Sequence, residues 1–139
     1  MPTLTIHSDL KDPTMRGRFC RRVTVTFGRL GVDVRHVLTR WLVIDPSAVF
    51  SGPAPLARSN VKSLASVAFI AIEVDQTRER SWRDKIVEGV LSASKDVFPH
   101  DRLFIRLIPV DPFDHWNVIL AEMRDRAVKE GRNAGRDDC

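Results

Sequence analysis

Apolar residues follow two alternating spacings along this chain. Near the start, Leu4 and Ile6 fall on one side of an extended segment and Thr3 and Thr5 on the other, which predicts a strand over residues 3–7. Asp12-Pro13-Thr14 is a helix-start signal, with Asp12 or Thr14 as the cap. Met15, Phe19, Val23, Phe27 and Leu30 then recur at helical spacing, and Gly31 closes that helix. The β-branched run Val23-Thr24-Val25-Thr26 is the one stretch of it with poor helix propensity. A second strand is predicted over residues 36–44, ended by Asp45-Pro46. Residues 46–63 hold Pro46, Gly52, Pro53 and Pro55 and read as a loop with a short hairpin strand near Val49-Phe50. Ser66 to Val74 is apolar on both faces, which predicts a central strand. Ser81 opens a second helix with Trp82, Ile86, Val90, Leu91 and Val97 on its buried side, ended by Phe98-Pro99. Leu103 to Val110 reads as a fourth strand, Asp111-Pro112 as a break, and Trp116 to Lys129 as a terminal helix before a polar tail.

That order contains an internal repeat. Residues 35–45 can be laid on residues 101–111 at an offset of 66, so that Arg40 falls on Arg106 and Asp45-Pro46 on Asp111-Pro112. The same offset lays Thr3–His7 on Phe69–Glu73, and an offset of 67 matches Phe19, Val23 and Leu30 with Ile86, Val90 and Val97. The chain therefore reads as two β-α-β units in one domain spanning residues 1–139. The first unit and connecting loop are 1–62, the second unit is 63–112, and the terminal helix and tail are 113–139. Each unit is a parallel strand pair joined by a crossover helix. The expected fold is α/β (α+β), a four-stranded mixed sheet with both helices on one face. The other face, still apolar, needs a cover, most simply other subunits.

Composition narrows the function classes. At 139 residues with 43% apolar and 29% charged residues, the chain is long enough to bury a real core. No apolar run approaches the ~18 residues of a membrane span, so no membrane partner is expected. No signal-peptide pattern is visible, and Cys20 and Cys139 form no disulfide framework, so the expected compartment is the cytoplasm. The net charge is +4 with arginine in excess over lysine. Without a long basic run, any tyrosine or an aromatic ladder, a nucleic-acid partner is not expected. Arginine excess suits small carboxylates, because the guanidinium fork matches their geometry. His7, His100 and His115 have no metal spacing with any Cys or carboxylate, and Cys20 reads as a small core residue. There is no phosphate loop, dinucleotide fingerprint or Ser-His-Asp arrangement, so no metal and no cofactor are expected.

Pro2 carries the chemistry that stands out. An initiator Met before proline is usually removed, leaving a free prolyl secondary amine. An α-amine titrates at about 7.7–8.0, close to neutrality. The strand behind Pro2 would hold that amine in a fixed place. A retained Met1 would instead make the Pro2 nitrogen a tertiary amide without basicity.

With Met1-Pro2 leading into a strand, the duplicated unit, Thr77-Arg78-Glu79-Arg80-Ser81 before the second helix and Asp114-His115-Trp116-Asn117 after the fourth strand, the chain resembles the tautomerase superfamily. The Arg-x-Arg-Ser element and the late Trp are similar to the malonate semialdehyde decarboxylase branch, and the arginine pair to the cis-3-chloroacrylic acid dehalogenase branch. The resemblance implies a tautomerase/MIF-like homotrimer acting on a small carboxylic acid without cofactor. It implies Pro2 as the proton-transfer group and Arg78 and Arg80 as grips on the substrate carboxylate. It implies Trp116 as a pocket wall. His36, with Arg35 as the competitor in register, falls where the decarboxylase branch has an acidic residue. Arg40 is a further candidate contact on the face shared with His36 and Leu38. On that reading Arg78 and Arg80 point the same way from an extended segment, and their positive field lowers the Pro2 pKa so that the neutral amine serves as base. A neutral amine favours keto–enol tautomerisation; a cationic one suits decarboxylation or hydration. The alternatives are a non-catalytic protein of the same fold acting as a binding module, with the 46–63 loop closing the pocket, and, more remotely, a nucleic-acid-binding domain.

Overall fold

The computed structural model describes residues 2–56 and 65–111. Strand β1 spans Thr3–Ser8 and helix α1 Pro13–Arg29. Asp12 caps α1 by accepting the Thr14 N–H at 2.9 Å, and Pro13 occupies the first helical position, where its missing N–H costs nothing. Gly31, at φ +84°, turns the chain out of the helix. Strand β2 spans Leu38–Val43, a short hairpin pairs β3 (Phe50–Ser51) with β4 (Ala54–Pro55), and β5 spans Ala68–Asp75. Helix α2 spans Arg80–Ala93 and β6 Leu103–Val110.

The main sheet has the order β2-β1-β5-β6. β1 runs parallel to β2 and β5 parallel to β6, while β1 and β5 are antiparallel. This is the duplicated β-α-β architecture expected from the repeat. The β1–β5 ladder pairs Thr5 with Ala71, which the repeat also makes equivalent. An internal two-fold axis therefore passes between these two residues. The same axis relates the two 3₁₀ turns that lead into the outer strands, Val34–His36 before β2 and His100–Arg102 before β6.

Strand alternation sorts the two faces. Leu4 and Ile6 of β1 and Ile70, Ile72 and Val74 of β5 are buried under the helices against Phe19, Val23, Phe27, Ile86 and Val90. The opposite face carries Thr3, Thr5 and His7, flanked by Leu38, Arg40 and Leu42 on one side and Phe104, Arg106 and Ile108 on the other. It leaves Leu38 61% and Phe104 52% exposed. Ser8 and Asp9 lock the end of β1 to the start of β5. The Ser8 hydroxyl donates to Val67 O at 2.8 Å, and the Asp9 carboxylate accepts from the backbone N–H groups of Ser66 and Val67.

Three elements differ from expectation. β2 begins at Leu38, because Asp33 caps a 3₁₀ turn that takes up His36. β5 alternates buried and half-buried residues instead of being apolar on both faces. α2 stops at Ala93, five residues before Phe98-Pro99; Val97 and Phe98 are buried beyond it, and Leu91 faces outward. The predicted terminal helix lies outside the described residues. Among those described, no helix is long and apolar enough to cross a membrane.

α1 and α2 cross where Gly89 meets Thr26. A Cβ added at Gly89 would lie 2.3 Å from Thr26 Cγ2. Alanine gains ~1 kcal/mol of helix propensity over glycine, but overpacking a helix contact costs ~1–3 kcal/mol, so the clash wins. Gly89→Ala is expected to destabilise the fold in chemical denaturation. Thr26→Ser in the same chain, which removes the clashing methyl, is expected to recover most of the loss.

Candidate active site

Pro2 is buried one residue ahead of β1. Continuing the two ladders by one step places it between Val37 on the β2 side and Val74 on β5. A strand flanked on both sides holds its terminus in place. The C-terminal end of β5, the N-terminal end of α2 and the turn into β2 all meet at this end of the sheet.

The turn into β2 separates Arg35 from His36. Asp33 accepts the Arg35 N–H at 3.0 Å and pairs with the Arg35 guanidinium at 2.6 Å. The Arg35 hydrogen bonds are the main cause that holds the Asp33 carboxyl at about 2. Arg35 is thereby committed to its own turn and 73% exposed. His36 sits one residue before the partner of Pro2, with its Nε2 buried. It lies in the turn, not in β2, so it does not share a strand face with Arg40. Arg40 is exposed on the open face and donates to Thr5 Oγ1 at 3.2 Å.

Among the described residues, three buried side-chain polar atoms have no hydrogen-bond partner: Thr3 Oγ1, His36 Nε2 and Arg83 Nε. Buried polar groups are nearly always satisfied, so orphans mark strain or function. All three lie at the Pro2 end: Thr3 follows Pro2, His36 enters β2 and Arg83 is the fourth residue of α2. Sequence reading missed Thr3 and Arg83. Arg83 was hidden because it is one of several charged residues at a helix start, where a solvated face is the ordinary outcome.

Arg78 and Arg80 also reach this end, but not as an extended pair. Asp75 Oδ1 accepts the Thr77 N–H at 2.8 Å and the Thr77 hydroxyl at 2.7 Å, and Asp75 O accepts the Arg78 N–H, which curls the chain into a turn. Arg78 lies over the Trp82 ring, 4.6 Å from its centroid, and the indole N–H donates to Leu30 O. Arg80 opens α2, is 89% exposed and approaches Asp84 only to 4.0 Å. Exposed cation–π contacts are worth ~0.5–1 kcal/mol and exposed i,i+4 pairs ~0.3–0.5 kcal/mol. A charge-assisted bond to a carboxylate is worth ~1.5–3 kcal/mol, so neither contact would keep its arginine from an arriving substrate.

Glu73 and Asp75 stand on β5 beside the arginines, on the open face next to Thr3. Neither was singled out from the sequence, where Glu73 reads as part of the third strand and Asp75 as the start of a solvated turn. Burial acts to raise the Asp75 carboxyl. The Thr77 hydrogen bonds, the positive charge of the chain's amino terminus and Arg78 outweigh it and hold the group below the usual carboxylate range. The described part of the 46–63 loop is at the opposite end. Val49, Phe50 and Leu56 line a cavity of about 640 Å³ with Phe69, Arg102 and Phe104, so the hairpin does not close the Pro2 end. Trp116 and residues 57–64 fall outside the described residues. No cluster of metal-ligating side chains occurs among those described.

The fold is that of the tautomerase superfamily. The chain is similar to N1, a member of the cis-3-chloroacrylic acid dehalogenase family, with a TM-score of 0.70 at 12% identity over 84% of this chain and 80% of that one. It is similar to FG41 malonate semialdehyde decarboxylase inhibited by 3-bromopropiolate, with a TM-score of 0.61 at 15% identity over 85% and 88%. A fused 4-OT described as a symmetric trimer gives a TM-score of 0.68 at 11% identity over 84% and 91%. No protein-family model and no curated protein sequence matches the chain.

The depressed Asp75 carboxyl has a signed consequence. A carboxylate with a lowered folded pKa contributes stability above its unfolded value, ~3.9, and loses it as pH falls through the folded value. Asp75→Asn keeps an acceptor for Thr77 but not the charge. The variant is expected to be less stable than the parent near neutral pH, with the difference closing as pH drops below the ordinary carboxylate range. Denaturant titrations across that range check it.

Proposed function

We propose that this chain is a cofactor-independent enzyme of the tautomerase superfamily that uses a free Pro2 amine to move a proton on a small oxo or unsaturated carboxylic acid. The observation that carries the reading is the coincidence of a buried, strand-held Pro2 with three orphaned polar atoms, on Thr3, His36 and Arg83. Orphaned groups facing one end of a sheet are what a site for a polar ligand needs, since the ligand supplies the missing partners.

In the tautomerase form of the reaction, the neutral amine takes the proton from carbon beside the carbonyl. The electron pair moves to the carbonyl oxygen, and the ammonium returns the proton at the other end of the enolate. Arg78 and Arg80 leave Trp82 and Asp84 to hold the substrate carboxylate, with the first amides of α2 adding to the positive field. Arg40 is a further carboxylate contact. His36, with Nε2 unpaired, orients water or passes a proton. Trp116, which lies outside the described residues, is the proposed apolar wall. Decarboxylation or hydration uses the same groups with the amine cationic.

The chain works as a homotrimer. Leu38, Leu42 and Phe104 expose apolar surface on the open face of the sheet, which a second copy covers. A second reading is a non-catalytic binding module of this fold. It is favoured by the splayed arginines, and it requires that Pro2→Ala leave the biological activity untouched.

Intact mass of the purified protein comes first. A mass lower by one Met residue is expected. In that protein, Pro2→Ala is expected to lower kcat/KM on the best of a panel of small oxo acids by at least ~10²-fold, the usual scale of general acid–base catalysis. Retained Met1 in a host able to process it would sink the proton-transfer mechanism. For the assembly, Phe104→Glu is expected to turn the trimer into monomers in sedimentation and to abolish activity with it.

A further inference from the structure

The proton inventory around Pro2 is set by the β1–β5 ladder. One step beyond the Thr3–Glu73 pair, Pro2 stands opposite Val74, and Asp75 is the next residue past the prolyl nitrogen. Antiparallel neighbours are ~4.8 Å apart, a gap that a short carboxylate side chain spans. The Asp75 carboxylate does not roam, because Oδ1 is held by both Thr77 donors. Oδ2 accepts no hydrogen bond among the described residues.

The other charged groups at this end are committed elsewhere or stand further off. Arg35 is paired with Asp33, Arg78 lies on Trp82, and Arg80 leans toward Asp84. Glu73, on the same face of β5, is the ladder partner of Thr3 and so stands on the carbonyl side of Pro2, away from its nitrogen. Glu79 stands exposed at the N-cap position of α2 with no side-chain capping bond, Arg83 follows on that helix, His36 lies in the turn into β2, and Asp111 follows β6.

We infer that Asp75 is the counter-ion of the prolyl ammonium in the Met1-free protein, a positioning residue that keeps the amine protonated. The inference rests on the reading of Pro2 as the working amine and adds what that amine does. It also replaces the expectation that Arg78 and Arg80 set the amine's protonation. With a carboxylate fixed beside it, the amine starts its cycle as an acid. The N–H bond breaks and its proton goes to the substrate carbon, which receives the electron pair of the C–C bond as CO2 leaves or of the double bond as water adds at the next carbon. The ammonium is restored by a solvent proton in the first case and by the proton the added water loses in the second. Among the reactions open to this site, that selects those needing a cationic proline over those needing a neutral base.

The test is a titration of the amine by NMR in Met1-free, full-length protein carrying ¹⁵N-proline. In the parent protein the prolyl amine is expected to titrate above the ordinary α-amine value of about 7.7–8.0. Asp75→Asn, which preserves the turn to Thr77, is expected to lower it by about one unit, a roughly tenfold gain in neutral amine at neutral pH. Glu73→Gln is expected to shift it by less than half as much. A parent value below the ordinary range, an unchanged Asp75→Asn titration, or equal shifts in both variants would overturn the inference. The titration reads the amine whether or not any substrate turns over. A Pro2→Ala variant with full activity therefore removes the catalytic reading by itself, and an unchanged titration removes the counter-ion by itself.

Discussion

The antiparallel register of β1 against β5 is the constraint on which the rest of this structure depends. It is the seam between two β-α-β units that would otherwise be separate half-sheets, each too small to bury its helix. Pairing Thr5 with Ala71 fixes the internal two-fold axis. It puts Leu4, Ile6, Ile70 and Ile72 together under the helices, and it sets Pro2 beside Val74 and Asp75. A slip of one residue would turn every one of those apolar side chains to the open face. Buried Ser8 and the Asp9 carboxylate pin the far end of the same seam through Val67 and Ser66. Register, core and site are therefore one specification.

Most of that specification is legible in the sequence because it is periodic. The stripe Met15, Phe19, Val23 and Phe27 is buried as its spacing requires, and Leu103–Val110 forms a strand over the span its alternation marks. The repeat offset identified the equivalent strands, and the ladder pairs Thr5 with its match Ala71 at the axis between them. What periodicity could not show are short polar turns. Asp33 and Asp75 each bend the chain by accepting the N–H two residues on, an Asx arrangement that spacing patterns do not register. The first of these took His36 out of its predicted strand, and the second took Arg78 out of an extended segment. Gly89 is a further case. Its meaning lies in Thr26, sixty-odd residues away, and no local pattern carries that information.

The same turns explain why the electrostatics of the site differ from what the arginines alone suggest. Read from the sequence, Arg78 and Arg80 form a cationic pair aimed at Pro2. In three dimensions the cations project from the turn and the first turn of α2, where aromatic and aqueous surroundings absorb them, while the Glu73 and Asp75 carboxylates stay on the strand. Proximity to a backbone nitrogen is set by the strand. Long flexible arginines contribute at the ends of their reach, and chiefly when a ligand carboxylate calls them in. The proposed resting site, dominated by Asp75, and the proposed loaded site, dominated by Arg78 and Arg80, are compatible, because the arginines' resting contacts are weak.

Duplication also explains why the proposed amine chemistry has only one end of the sheet to work at. The internal axis maps Pro2 onto Ala68, Thr3 onto Phe69, His36 onto Arg102 and Leu38 onto Phe104. Phe69, Arg102 and Phe104 line the 640 Å³ cavity at the opposite end, so that cavity is the counterpart of the Pro2 end in the second unit. The two ends share a backbone plan, down to the 3₁₀ turn before each outer strand. They differ in what the chain can offer. Ala68 lies inside the chain, and its nitrogen is an ordinary amide that no neighbouring carboxylate could make basic. Thr3 is replaced there by Phe69, which stacks on Phe104 at 5.1 Å, and His36 by Arg102, with the β3–β4 hairpin drawn alongside. A β-α-β repeat can thus copy the scaffold of an amine site but not the amine, because a free α-nitrogen exists once per chain.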